Sequence, residues 1–298
     1  MYVGSQQTSQ PIVKLSVPDT LRHGTNGVET MLNAVAELPL ARRYVFDMSN
    51  VTFVEPCGVI ALLSAIRHCA ARSGERVLIK NLSEHIYPYL HRMDLFRVAE
   101  AWLRTLTPLN EEWSRNAHTI NLLEVTPITG YNNVTAVIER ARGIFGPWLS
   151  LDELSSLLRV ISELCQNIYQ HSGDPHGCVM IQKYQPEQNQ VFICLSVGDS
   201  GRGIRANLIK RYRGLGDDPL DFVRAAMDGN YTSRSHGRGG LGLRTVRNIT
   251  AAHNGYVTVR SETAGVTDWG KKGVQSYGKL TYMAGTQVSV KMCASIGD

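Results

Sequence analysis

The stretch Glu163-Leu-Cys-Gln-Asn167-Ile-Tyr-Gln-His171-Ser172 decides how this chain is read. It closes a helix whose start is also legible. Ser150, with Glu153 three residues on, predicts a capping box ahead of Leu151, Leu154, Leu157, Leu158 and Ile161. Those apolar positions recur at helical spacing and predict one buried face. Glu163, Asn167 and His171 are four apart, so all three project from one side of the helix. A carboxylate, a carboxamide and an imidazole along one ridge suit a magnesium nucleotide. The amide oxygen can bind a hard cation, and the carboxylate can orient or deprotonate a nucleophile. A polar outer helix face gives the same spacing, so the rest of the chain has to discriminate.

The chain's 298 residues predict two domains, each able to bury a core. A hydrophobic fraction of 43% with 19% charged residues is that of a globular protein. No apolar run approaches the ~20 residues of a membrane helix, and the first ten residues lack the pattern of a secretory signal. The six cysteines, at 57, 69, 165, 178, 194 and 293, include no C-x-x-C pair. They read as reduced thiols in a cytoplasmic protein, not as a disulfide framework or a zinc site. A net charge of +5 is too mild to argue for nucleic acid, which ranks last among partners.

Residues 1–10 are polar and are expected to be a disordered tail. Ile12 to Val17 alternates like a strand, and Val28, Met31, Leu32, Val35 and Leu38 mark a helix that ends at Pro39. Tyr44 to Val51 predicts a second strand, Val59 to Arg72 a helix, and Arg76 to Lys80 a short buried strand. Helical segments are expected from Ser83 to Met93 and from Leu95 to Leu103. Strands alternating with helices predict an α/β (α+β) sandwich over 11–106. Periodicity is lost over 107–118, which is placed as a linker to a second α/β unit over 119–298.

In that second unit Leu122 to Thr126 is a strand, and Asn132 or Asn133 can cap a helix that runs to Ile144. After the capped helix, Cys178 to Tyr184 and Val191 to Val197 are two strands of a hairpin. The second runs into Gly198-Asp199-Ser-Gly201-Arg-Gly203, where glycines let backbone approach a ligand and Asp199 offers an acceptor to an exocyclic amine. His236-Gly237-Arg238-Gly239-Gly240-Leu241-Gly242 then opens an amphipathic helix, a phosphate cradle at the positive end of the dipole. Gly285-Thr286 lies within an expected strand pair. Between these stretches Lys210, Arg211, Arg213, Arg224 and Arg234 make a basic segment, with Asp217-Asp218-Pro219 starting a helix and Gly214, Gly216 and Gly229 as hinge candidates.

Acid-x-x-x-Asn, then Asp-x-Gly-x-Gly, then a glycine-rich turn with helix, then Gly-Thr, in that order, resembles the ATP-binding domain of histidine kinases, Hsp90, MutL and DNA gyrase (the GHKL superfamily). The resemblance covers about 120–293 and implies a mixed sheet covered by helices with an ATP lid at about 205–235. It implies Mg²⁺ on Asn167, a general base or its equivalent at Glu163, and adenine recognition by Asp199 in a pocket shaped by Gly201 and Gly203. It further implies a triphosphate wrapped by Gly237, Arg238, Gly239, Gly240, Leu241 and Gly242, with Thr286 near the base. One departure is that Arg238 stands where the commonest turn has its first glycine.

Asn167-Ile-Tyr-Gln-His171-Ser172 looks most like the bacterial anti-sigma-factor serine kinases within that superfamily, and this chain shows no His-Glu phosphoacceptor helix before the ATPase. The run from Phe46 to Leu63 resembles the STAS domain of anti-anti-sigma factors. There a hydroxyl just before a glycine is phosphorylated; here Cys57 precedes Gly58, so that switch is lost. Together the resemblances imply a cytoplasmic, ATP- and Mg²⁺-dependent serine/threonine kinase acting on a STAS or sigma-type partner, or switching partners with nucleotide state. The alternatives are a GHKL ATPase switch that closes a lid and forms a homodimer, and a non-catalytic ATP-binding scaffold.

Overall fold

The computed structural model describes residues 11–24, 27–106, 121–187, 190–229, 231 and 240–294. The expected tail at 1–10 and linker at 107–118 lie outside the described residues. Strand β1 (Ile12–Ser16) leads through β2 (Thr20–Leu21) to α1 (Val28–Glu37), which buries Val28, Met31, Leu32 and Val35 as its spacing predicts. Next come β3 (Arg43–Asp47), β4 (Phe53–Val54), α2 (Pro56–Ser73) and β5 (Val77–Lys80). Proline opens α2 at its first position and left-handed Gly74 closes it, so the helix begins three residues before the expected Val59. Short helices α3 (Ile86–Arg92) and α4 (Leu95–Val98) precede β6 (Leu103–Thr105).

The helix expected through Leu103 therefore stops at Val98. Leu103 is only 4% exposed and pairs with Val77, because an edge strand satisfies its backbone and buries its side chain together. The four strands β1, β3, β5 and β6 form a parallel sheet in the order β1-β3-β5-β6.

The second unit runs β7 (Leu122–Pro127), α5 (Tyr131–Phe145), α6 (Leu151–Asn167), β8 (Cys178–Glu187), β9 (Gln190–Gly198), α7 (Gly203–Leu208) and α8 (Pro219–Asp228). It continues with α9 (Gly242–Ala252), β10 (Tyr256–Glu262), β11 (Ala264–Asp268), β12 (Val274–Tyr277) and β13 (Met283–Ala294). Gly130 stands at the N-cap of α5, and Asn133, inside the helix, instead accepts from the Thr129 N–H (3.2 Å) and hydroxyl (2.7 Å). The sheet order is β12-β11-β10-β13-β9-β8-β7. Every pairing in it is antiparallel, where a mixed sheet was expected, because hairpins and helical excursions return the chain in the opposite sense each time. Gly285-Thr286 falls inside the single strand β13, at an irregularity opposite Ser261 and Glu262, and not between two strands.

Alternation along β8 sends Val179 and Ile181 to the helices α5 and α6, and Cys178 and Met180 to the opposite face. That opposite face is covered by α2. Val59, Ile60, Leu62, Leu63 and Ile66 are each at most 2% exposed, and α2 shares one apolar core with Leu122, Val125, Cys178, Met180 and Met283. A helix apolar all round must be covered all round, and two sheets do it here. At ~1.5–3 kcal/mol for each fully buried aliphatic side chain, this layer outweighs any propensity difference within α2.

Candidate functional site

Helix α6 keeps its capping box: the Glu153 N–H donates to Ser150 Oγ (3.3 Å), and the Ser150 N–H donates to Glu153 Oε2 (3.1 Å). The α-helical pattern ends at Asn167, and Ile168–Ser172 turns as a π-helix, closed by left-handed Gly173. This wider turn re-aims His171 relative to the regular four-residue ridge, a device frequent at functional sites. Glu163, Asn167 and His171 nonetheless all border one cavity of about 270 Å³.

Asp199, Gly203, Gly240, Leu241, Gly242 and Thr286 border the same cavity. Asp199 lies at the end of β9 and is 6% exposed. Its Oδ1 accepts the Gly201 N–H (2.8 Å), while its own N–H donates to the Thr286 carbonyl (3.0 Å). Burial raises the Asp199 carboxyl to about 6, against the pull of the Gly201 N–H. An acceptor desolvated in this way is primed for a donor that arrives with a ligand. Gly201 does not line the cavity but lets the turn close: a Cβ there would sit 2.0 Å from the Ser172 carbonyl oxygen.

Helix α9 starts at Gly242, after Gly240 at φ 84°, with no side chain capping its first turn. The first turn's N–H groups and the dipole thus face the end of α6. A Cβ on Gly242 would fall 2.9 Å from Glu163 Oε2 and 3.6 Å from the Asn167 amide, so glycine sets how closely the two helices meet. Gly237, Arg238 and Gly239 lie outside the described residues. Lys210, Arg211, Arg213 and Arg224 are not among the cavity's lining residues; Arg224 pairs with Asp221 at 3.8 Å. Helix α8 buries Phe222, Val223, Ala225 and Met227, while its Ala226, with Tyr231 beyond it, borders the cavity.

Sequence reasoning missed two groups. Ser261, 2% exposed, donates to the Gly285 carbonyl (3.0 Å), lies 3.3 Å from Thr286 Oγ1 and accepts the Ile204 N–H (2.9 Å). It pins α7 to β13 and has no motif around it. Asn207 Nδ2 donates to the carbonyls of His171 (3.0 Å) and Gly203 (2.8 Å), joining α7 to the π-turn. Ile168, Val197, Ile204, Leu208 and Val288 give the cavity an apolar wall of the kind a purine ring needs. Only Ile204 and Leu208 share an element, α7; the others come from the π-turn, β9 and β13, so spacing could not group the wall.

For Mg²⁺, the oxygen donors of Asn167 and Glu163 are hard ligands of a suitable kind. No cluster of three or more His, Cys, Asp or Glu able to hold a metal occurs among the described residues. An ion here would take its remaining ligands from phosphate and water, as magnesium commonly does.

Residues 152–292 match the family model described as histidine kinase-, DNA gyrase B-, and HSP90-like ATPase. Over 121 residues, 40% of this chain, the sequence is 29% identical to the hybrid signal transduction histidine kinase D of Dictyostelium discoideum. The chain spans 7% of that protein's length. Among solved structures, the mycobacterial sensor histidine kinase MprB aligns at 18% identity and TM-score 0.28, covering 55% of this chain and 95% of that one. The histidine kinase domain of the blue-light activated histidine kinase EL346 from Erythrobacter litoralis aligns at 14% identity and TM-score 0.28, covering 89% and 94%. The stretch 152–292 is accordingly a GHKL-type ATPase domain of the histidine kinase-, DNA gyrase B-, and HSP90-like family.

Proposed function

We propose that this is an ATP- and Mg²⁺-binding regulatory protein of the anti-sigma-kinase type, with a STAS-like domain over 11–106 and the ATPase domain over 119–298. It phosphorylates a serine or threonine on a protein partner or exchanges partners with nucleotide state. The observation that carries this reading is the convergence of Glu163, Asn167, Asp199, Gly242 and Thr286, from four elements, on one cavity with an apolar wall. Asp199 takes the adenine amine, the first turn of α9 takes phosphate oxygens, and Asn167 holds the cation. Magnesium, when bound, neutralises charge on the phosphates. Glu163 orients the acceptor hydroxyl and draws its proton.

The anti-sigma assignment rests on Asn167-x-x-x-His171 followed by Ser172, joined in one chain to the STAS-like unit. Cys57 lies beside Glu55, with Sγ to Oε2 at 3.7 Å, and burial pushes its thiol well above the ordinary range. A neutral thiol in that position supports a unit that binds partners without being phosphorylated there.

Incubation with γ-labelled ATP and candidate STAS proteins tests the proposal. Label on a partner, lost in Glu163→Ala, is the expected result. Label that persists in Glu163→Ala removes Glu163 from the chemistry, and no labelled partner refutes the kinase. ATP turnover without a partner, with nucleotide-dependent dimerisation in light scattering, would point to the ATPase switch instead.

A further inference from the structure

Helix α2 lies outside the stretch 152–292 that matches the ATPase family, yet it reaches the turn that carries Asp199 directly through Ile60 and, by way of Asp174, through Arg67. Ile60 covers Gly198 so closely that a Cβ on that glycine would fall 2.4 Å from Ile60 Cγ2. Seven residues on, on the same helix face, Arg67 makes a bidentate ion pair with Asp174, both nitrogen-to-oxygen distances being 2.8 Å. The Asp174 side chain is 3% exposed and that of Arg67 14%.

Both Asp174 oxygens have a second task. Oδ2 accepts the Ser200 N–H at 2.7 Å, and Oδ1 accepts the His176 N–H at 2.9 Å. The Ser200 N–H belongs to the peptide unit that leaves Asp199, so Asp174 fixes the plane next to the Asp199 Cα. The Asp174 N–H in turn donates to Ser172 Oγ (3.0 Å), at the end of the π-turn. Trp102, also from the N-terminal unit, closes the arrangement. The Arg67 guanidinium lies 5.0 Å from its ring centre, and that ring stands nearly perpendicular to His176 with centres 4.9 Å apart. A buried fork of this kind holds orientation more tightly than a lysine ammonium could.

We propose that Arg67 of the N-terminal unit is a positioning residue for purine recognition, acting through Asp174 and the Ser200 N–H to set the direction of the Asp199 carboxylate. The N-terminal unit thereby completes the base subsite, and any partner that shifts α2 alters nucleotide selectivity. This rests on the reading of Asp199 as the adenine acceptor.

The test compares ATP with ITP, whose base carries a carbonyl in place of the amine, by calorimetric titration of the full chain with Mg²⁺. Wild type is expected to prefer ATP. Arg67→Met alone would leave Asp174 as an unpaired buried charge, so the informative variant is Arg67→Met with Asp174→Asn, alongside Arg67→Lys as the conservative change. In the double variant the ITP-to-ATP ratio of Kd is expected to fall about tenfold, the equivalent of one misdirected hydrogen bond, with ITP affinity held. Arg67→Lys is expected to recover only part of the ratio. A ratio unchanged in folded variants, or equal weakening of both nucleotides, overturns the proposal while leaving the nucleotide site intact. Wild type that binds neither nucleotide refutes the site itself.

Discussion

Replacing Asp199 by Asn should make the ligand-free protein more stable while weakening ATP binding. The carboxyl is 6% exposed, and burial raises it from an ordinary 3.8 to about 6. That interval corresponds to about 3 kcal/mol of differential stabilisation of the protonated form. Because the folded value is the higher one, the folded state keeps its proton between 3.8 and about 6 while the unfolded chain has lost it. The stabilising contribution is therefore complete below 3.8 and lost as pH rises through about 6. At pH 7.5 the wild-type protein carries the whole penalty of a desolvated charge, and an amide does not.

Asn can keep the Gly201 N–H as its donor, but its own N–H₂ gains no evident acceptor, which costs about 1 kcal/mol. The expected net gain is about 2 kcal/mol at pH 7.5; it passes through zero at about pH 4.5, and at lower pH the unmet amide donors leave the Asn variant less stable by up to about 1 kcal/mol. Thermal unfolding of both proteins across pH 4–8 measures it. A gap that does not change with pH, or an Asn variant less stable throughout, would refute the claim that Asp199 is a desolvated, underpartnered carboxylate. In the same series wild-type ATP affinity should rise as pH passes about 6, and the Asn variant should show no such step.

The other changes act at neighbouring points of the cleft. Asn167→Ala should abolish the difference in ATP affinity between Mg²⁺ and chelator buffers, read by calorimetry, with little effect on Mg²⁺-free binding. Glu163→Gln should retain Mg-ATP binding within about threefold and lower phosphoryl transfer or hydrolysis by about 10²-fold or more. Gly201→Ala forces a Cβ to 2.0 Å from the Ser172 carbonyl and should cost more than ~2 kcal/mol of stability, seen as a lower unfolding temperature together with lost ATP binding.

Much of this was readable because it is local. The Ser150–Glu153 box, the apolar stripe of α6 from Leu154 onward (Leu151, expected on it, is 85% exposed) and the alternation in β8 and β9 depend on residues a few positions apart. So does the Asp-x-Gly-x-Gly turn after β9. Element ends and special turns were less legible. Nothing near Leu103 shows that an edge strand would claim it, and nothing in Ile168–Ser172 distinguishes a π-turn from another turn of α-helix. Asparagine favours the cap, so Asn132 or Asn133 is the expectation there; the extended Gly130 holds it, and Asn133 bonds back from the third position of the helix.

The linear chain was enough for the capped helix α6, the strands β8 and β9 and the order of motifs that points to a magnesium nucleotide, because periodicity and motif order depend on near neighbours in sequence. Only the packed fold shows that Glu163, Asn167, Asp199, Gly203, Gly242 and Thr286 share one cavity, that α2 covers the far face of the ATPase sheet, and that Arg67 meets Asp174 across 107 positions. Those contacts arise only when buried apolar surface forces distant segments together, and no local rule specifies which distant charge each will find.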